Sequence, residues 1–362
     1  MSKSKLIQLL ASFIFFLRKK TLTNSKIRWV VCSGSVGKTI MRRSLFLSLS
    51  KIKTEKFLTL NSDYCNEIGV ICALLNIQDF SVFTLKSWIE ILTKQPIDNS
   101  YVLIEIGADF RLDIDWFLKR WSPSIVILTM GTNYHWTTQI ESVLRSRLRL
   151  CQSLLPNGKI YISQSDTVHT SLLIKENVFF NMINSNLEDI YFYPRTLLKE
   201  WSRSEGWEES SFIPFSKNRF EVNKFGEVTM IKDVYKVTPV CFAYFLKSFL
   251  NANGKVKILI MTEIRPLEVD VSKLYKSYLT EMKKIHKIYF YGDVKVYNFL
   301  SKNLNNVYWF NKEKLLVEIL NLKNDLNQNY VVGIKTSAFY KELKQELSIF
   351  EKENFNKIIE LK

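Results

Sequence analysis

Near-continuous apolar runs alternate with helical patterns along most of the chain. Ile27 to Gly34 (IRWVVCSG) is the first run, followed by a glycine turn and the helical pattern MRRSLFLSLSK. Tyr101 to Ala108 (YVLIEIGA) and Ser124 to Gly131 (SIVILTMG) are two more, each containing glycine at or near its end. Strands that are apolar at successive positions are buried on both faces, as in a parallel sheet covered by helices. Lys159 to Gln164 (KIYISQ) follows a helix ending at Pro156-Asn157-Gly158. From about 166 to 232 the pattern is less regular, aromatic and polar. Alternation resumes at 255–263, 287–292, 306–310 and 330–336, a second array of strands and helices. The pattern predicts an α/β chain in three parts: an N-terminal helix over 1–25, a domain with a mostly parallel sheet over 26–232, and a smaller α/β domain over 233–362.

The N-terminal segment carries a short apolar stretch, Leu6 to Leu17, between Lys3 and Lys5 on one side and Arg18, Lys19 and Lys20 on the other. It falls short of the roughly 20 residues that span a bilayer. Two readings stay open: a helix packed on the body of the protein, or an interfacial helix in which residues 1–20 touch an anionic membrane peripherally.

Composition sharpens this picture in two respects. With 51 Lys and Arg against 35 Asp and Glu in 362 residues, the net charge is +16, which points to an anionic partner. The five cysteines form no Cys-x-x-Cys pair and there are only three histidines, which argues against a zinc site or a disulfide framework and for a reduced, cytoplasmic setting.

The strongest local motif is Ser33-Gly34-Ser35-Val36-Gly37-Lys38-Thr39, between a predicted strand and a predicted helix. That is the context of a phosphate-binding P-loop. Glycines let backbone N–H groups close around phosphate oxygens, and the helix N-terminus adds partial positive charge. Lys38 can reach the β and γ phosphates, and the Thr39 hydroxyl can ligate Mg²⁺. The full eight-residue pattern has glycine where Cys32 stands.

Further motifs follow in order: Asn66-Glu67-Ile68-Gly69-Val70, Ile104-Glu105-Ile106-Gly107-Ala108, Gly131 to His135 (GTNYH), Leu155-Pro156-Asn157-Gly158, Asn218-Arg219-Phe220-Glu221, Asp233 with Tyr235 and Pro239, and Lys335-Thr336-Ser337. Their order resembles the Mur ligases, of the MurF type, across about residues 26 to 362. The resemblance implies a P-loop central ATP-binding domain with a Rossmann-like C-terminal domain. It implies an ATP-dependent carboxylate–amine ligase that works through an acyl phosphate, with ATP and Mg²⁺ as cofactors. By the same resemblance Lys38, Glu105, His135 and Arg147 are the catalytic candidates. Ser33, Gly34, Ser35, Val36, Gly37, Lys38, Thr39, Asn66, Arg219 and Asp233 bind the nucleotide, and Thr39, Glu105 and His135 hold the metal.

The departures from the pattern bear on function. Arg147 falls where the family carries a lysine that is carbamylated to bridge two Mg²⁺ ions. A guanidinium stays protonated and is not expected to form that carbamate. Either its fixed charge stabilises phosphoryl transfer in place of the second metal, or that metal and catalysis are lost. Only about 25 residues precede the first strand, so the family's UDP-sugar domain is expected to be absent and the substrate, or its presentation, to differ. An alternative is therefore a diverged ATP-binding protein acting as a partner subunit or regulator, and a partner protein is one route to substrate recognition. Nucleic acid ranks last among partners, because no RRM, KH or zinc-finger signature accompanies the charge. The expected location is cytoplasmic, with peripheral contact at the inner membrane face as the option opened by residues 1–20.

Overall fold

In a computed structural model, the chain is described over residues 3–23, 26–60, 67–78, 80, 84–98, 100–107, 111–129, 140–184, 192–208, 211–214, 220–225, 228–234, 237–264, 270–309 and 329–336. It divides into two units, Met1–Phe215 and Ser216–Lys362. The first runs α1 (Lys3–Thr23), β1 (Arg28–Ser33), α2 (Lys38–Leu49), β2 (Lys56–Leu58), α3 (Glu67–Leu74), α4 (Leu85–Thr93) and β3 (Ser100–Glu105). It continues α5 (Arg111–Leu118), β4 (Ile125–Leu128), α6 (Ile140–Gln152), β5 (Lys159–Ser163), α7 (Thr167–Lys175), β6 (Asn181–Ile183) and α8 (Phe192–Glu205). Its six strands lie in the order β2-β3-β1-β4-β5-β6, every pair parallel.

The apolar runs explain this arrangement through the two-residue period of a strand. Trp29 and Val31 of β1 and Val102 and Ile104 of β3 join one core layer, with residues of α1, α3, α5 and α6. Val30 and Cys32, with Tyr101 and Leu103, join the opposite layer under α2 and α8. Continuing the 101 and 103 face by one step brings Glu105 to the α2 side of the sheet. The irregular stretch after residue 166 turns out to hold α7, β6 and α8. Tyr193, Leu197, Leu198 and Trp201 of α8 are buried, and the Trp201 ring meets those of Phe57 and Tyr101 at 6.4 and 5.7 Å.

Helix α1 packs on the body of the first unit. Ala11, Ile14, Phe15 and Leu22 are buried, Phe15 meets Trp121 edge-on at 5.4 Å, and Trp116 Nε1 donates to Ser12 Oγ at 2.9 Å. Among the described residues, no helix is long and apolar enough to cross a membrane.

The second unit holds β7 (Glu221–Phe225), β8 (Val228–Asp233), α9 (Pro239–Asn251), β9 (Val256–Thr262), α10 (Val271–Lys276) and α11 (Leu279–Met282), followed by β10 (Lys287–Tyr291), α12 (Val294–Asn303), β11 (Val307–Trp309) and β12 (Tyr330–Lys335). The sheet order is β11-β10-β9-β12-β8-β7, parallel except for the β7–β8 hairpin. The second sheet takes in β7 and β8, which occupy residues between 221 and 233.

Gly333 in central strand β12 faces Phe249, and a Cβ there would lie 2.7 Å from the Phe249 ring. That ring is fully buried and stacked on Phe245 at 6.0 Å, so it has little room to withdraw. Gly333→Ala is expected to cost about 1–3 kcal/mol by overpacking, read as a lower urea midpoint at unchanged slope.

Candidate active site

The phosphate loop leaves the C-terminal end of β1, between the ends of β3 and β4. Ligands of open α/β sheets bind at such carboxyl ends. Pairing sets the positions: Cys32 lies opposite Glu105, and Ser33 opposite Leu128. The Thr129 N–H then donates to the Ser33 carbonyl at 2.7 Å, and Ser33 Oγ donates to the Ile106 carbonyl at 3.1 Å.

Two glycines are required by geometry. Gly34 has φ +145°, and a Cβ on it would lie 2.2 Å from Thr129 Oγ1 and 2.5 Å from the Thr129 carbonyl oxygen. Gly37 caps α2 at φ +89°, in the left-handed region that L side chains rarely adopt. The helix start that follows points backbone N–H groups towards the loop, an arrangement suited to an anion. Lys38 Nζ folds back to donate to the Gly34 carbonyl at 2.7 Å.

Beside the loop stands a buried polar cluster. Thr39 Oγ1 donates to Glu105 Oε2 at 3.0 Å, and Arg42 Nε donates to Glu105 Oε1 at 2.9 Å. Arg42 Nη1 also donates to Thr59 Oγ1 and to the Leu60 carbonyl, each at 2.6 Å. Burial pushes the Glu105 carboxyl up. The Arg42 charge and hydrogen bond, the Lys38 charge and the Thr39 hydroxyl outweigh it and hold the group below its ordinary range. Arg42 lies three residues after Thr39, on the same face of α2, and the sequence reading did not single it out. The helical spacing is the signal that would have found it.

The third component is Arg147. On α6, Arg145 and Arg149 pair with Glu141 and Asp115 at 2.6 Å each, while Arg147, midway between them, faces inward and is 1% exposed. A two-residue step turns a helix by about 200°, which separates Arg147 from its two neighbours. Its Nη2 donates to Ser35 Oγ of the phosphate loop at 3.2 Å, and its Nη1 meets His169 Nε2 at 3.0 Å. A guanidinium only donates, so His169 Nε2 accepts and the ring proton sits on Nδ1, which donates to Asp166 Oδ2 at 2.7 Å. Asp166 in turn caps α7 by accepting the His169 N–H at 3.1 Å. Asp166 and His169 thus fix the guanidinium against the loop. Both were missed from sequence, although an aspartate three residues before a histidine at a helix start is a capping pattern.

Ser33, Gly34, Ser35, Val36, Gly37, Lys38, Thr39, Glu105 and Arg147 are therefore brought together at one end of the first sheet. Asn66, His135 and Arg219 lie outside the described residues. Asp233 lies in the second unit, at the end of β8, and accepts the buried Lys335 ammonium at 2.5 Å.

The oxygens of Thr39 and Glu105 fit a single Mg²⁺, an ion that takes one or two protein oxygens and completes its shell from phosphate and water. Arg42 occupies one Glu105 oxygen and leaves Oε2 on the Thr39 side. No group of three or more His, Cys, Asp or Glu suited to a metal occurs among the described residues.

No protein-family model and no curated protein sequence matches the chain. Solved structures do. MurF from Acinetobacter baumannii is 15% identical at a TM-score of 0.68, over 95% of this chain and 81% of that one. MurF ligase from Thermotoga maritima, in complex with ADP, is 15% identical at 0.70, over 97% and 84%. Mycobacterium tuberculosis folylpolyglutamate synthase, complexed with ADP and AMPPCP, is 9% identical at 0.61, over 91% and 92%. At these identities the likeness establishes the fold: the chain has the α/β architecture seen in those ligases.

Proposed function

We propose that the chain is an ATP-dependent ligase that joins a carboxylate to an amine through an acyl phosphate. The observation that carries this is the convergence of the phosphate loop, the Thr39–Glu105 pair and the Arg147 guanidinium at one end of a sheet in a chain whose fold is that of MurF ligase, a protein solved with ADP.

In this reading the substrate carboxylate oxygen attacks the γ-phosphorus of ATP. The bond to the β,γ-bridging oxygen breaks, and ADP leaves. The amine nitrogen then attacks the acyl carbon, the C–O bond to phosphate breaks, and the amine gives up a proton as the amide forms. Phosphoryl transfer of this kind depends on positioning and on charge stabilisation. The loop N–H groups hold the phosphates, and Lys38 leaves the Gly34 carbonyl for the β and γ oxygens. Mg²⁺, held by Thr39 and Glu105, would neutralise charge on those oxygens. Arg147 places a permanent cation on the Ser35 side of the loop, where its fixed geometry needs no reorganisation during transfer. His135 and Asn66 stay candidates for the metal and the loop, and Arg219 and Asp233 for phosphate and ribose.

ADP formation, measured with and without Mg²⁺ across panels of carboxylates and amines, tests the proposal. Turnover is expected to need Mg²⁺ and to rise when a matching pair is added. ATP binding without turnover would instead support the diverged, regulatory reading that the arginine at position 147 raises. Lys38→Ala is expected to weaken ATP binding about ten- to a hundredfold, the value of one charge-assisted hydrogen bond, in a direct binding titration.

A further inference from the structure

We propose that the exposed apolar residues of the touching helices α1 and α4 dock on an anionic membrane surface. This is independent of the ligase reading.

Helix α1 is apolar on two sides. One side is spent on the core, through Ala11, Ile14 and Leu22. The other leaves Leu9, Phe13, Phe16 and Leu17 between 53% and 76% exposed, at spacings of four, seven and eight residues that make one stripe. Helix α4 repeats the arrangement. Ser87 and Ile91 are buried, while Leu85, Ile89 and Leu92 are between 42% and 76% exposed, again at a spacing of four and seven. The helices touch where Arg18 Nη1 donates to the Ile91 carbonyl at 2.7 Å. Leu17 and Leu92 are the chain neighbours of the two residues in that contact. Solvent-exposed apolar residues scattered singly need no explanation, but seven on two touching helices do.

Charge identifies the occupant. Helix α1 contains no acidic residue, and Lys19 and Lys20 are exposed at its end. Lys86 and Lys94 are exposed on and just after α4, and Glu90, the one acidic residue of the two helices, is half-buried. An apolar stripe with a lysine rim matches an interfacial helix, whose side chains enter the acyl boundary while lysines meet lipid phosphates. Protein–protein interfaces are depleted in lysine, which weighs against a protein partner on this face. As no described helix can span a bilayer, the contact is peripheral.

The test is co-sedimentation of the full chain with vesicles of phosphatidylcholine alone and with about one-third phosphatidylglycerol. Binding is expected to the anionic vesicles and to weaken with salt. Lys19→Gln with Lys20→Gln should lower the partition coefficient about twenty-five-fold, from about fivefold per lysine. Phe13→Asp with Phe16→Asp should abolish binding, and so should Ile89→Asp with Leu92→Asp. These side chains are exposed, so the thermal midpoint should hold; should one pair fail to fold, the other pair and the lysine pair decide. Absence of binding to anionic vesicles, equal binding to neutral ones, or binding that survives both aspartate pairs would overturn the proposal. So would the aspartate pairs dissolving a dimer in solution, which would make this face an interface between copies of the chain.

Discussion

Replacing Arg147 with alanine is expected to lower the rate of ATP turnover about a hundred- to a thousandfold, the loss that follows removal of one preorganised donor to a transition state. ATP affinity should change far less, because the loop backbone, Lys38 and Thr39 are untouched. The reasoning rests on geometry. The guanidinium is fully buried, and it is gripped on one side by His169, itself held by Asp166, while its other arm reaches Ser35 of the phosphate loop. A cation held in this way acts without a carbamate, so turnover should not respond to bicarbonate. Arg147→Lys keeps the charge but cannot bond both His169 and Ser35 in the same plane, and is expected to recover only part of the loss. His169→Ala should lower turnover in the same direction and by less, since it frees the guanidinium without removing it. Rapid-quench measurement of ADP formation beside a binding titration separates the two parameters. Loss of affinity with turnover per bound ATP unchanged would contradict this role.

The second large effect is on stability. Arg42 and Glu105 form an ion pair whose side chains are each 3% exposed. Arg42→Met removes one partner of the buried ion pair and leaves the Glu105 carboxylate without it, at a cost of about 3–5 kcal/mol. The contribution is pH-dependent, and its sign follows from the direction of the shift. Burial raises the Glu105 carboxyl, but Arg42 and Lys38 lower it further, so the folded chain holds it below the ordinary value of 4.5. The stabilisation is therefore complete above about pH 4.5 and disappears as pH falls through the depressed folded-state value. Urea unfolding of the wild type and Arg42→Met is expected to show a wide gap at neutral pH that narrows in acid. A gap that is constant with pH would mean that the pair does not carry the difference.

Much of the fold was legible because buried parallel strands write a local signal. The runs around Val30, Val102, Val126 and Ile260 each became a central strand. The phosphate loop was equally local: strand, glycines, lysine and helix lie within a few turns of chain. What local pattern hid was of two kinds. Helix α8 buries Tyr193, Leu197, Leu198 and Trp201 at helical spacing, but its stripe is short, carries a proline in the first turn and stands in the irregular polar and aromatic stretch after residue 166. The polar supports of the site depend on residues far apart in sequence. Thr59 joins Arg42 only because β2 lies beside β3, and His169 reaches Arg147 only because α7 packs on α6. No spacing rule relates such partners; a capping pattern at Asp166 marked the position but not the arginine it would serve.

Part of the positive charge, a sign of an anionic partner in the sequence, stands at two places in the first unit. Lys38 and Arg147 stand at the phosphate loop, and Lys19, Lys20, Lys86 and Lys94 are exposed on or next to α1 and α4.

The central claim, that ATP is used to activate a carboxylate, is tested most directly by following oxygen. A pool of amino-acid and peptide carboxylates labelled with heavy oxygen is incubated with the chain, Mg²⁺, ATP and amines, and the released phosphate is analysed by mass. An acyl phosphate passes one carboxylate oxygen to phosphate, so labelled phosphate is predicted, in step with amide formation. Phosphate released without label would show that water, not a carboxylate, attacks ATP, and would contradict the account.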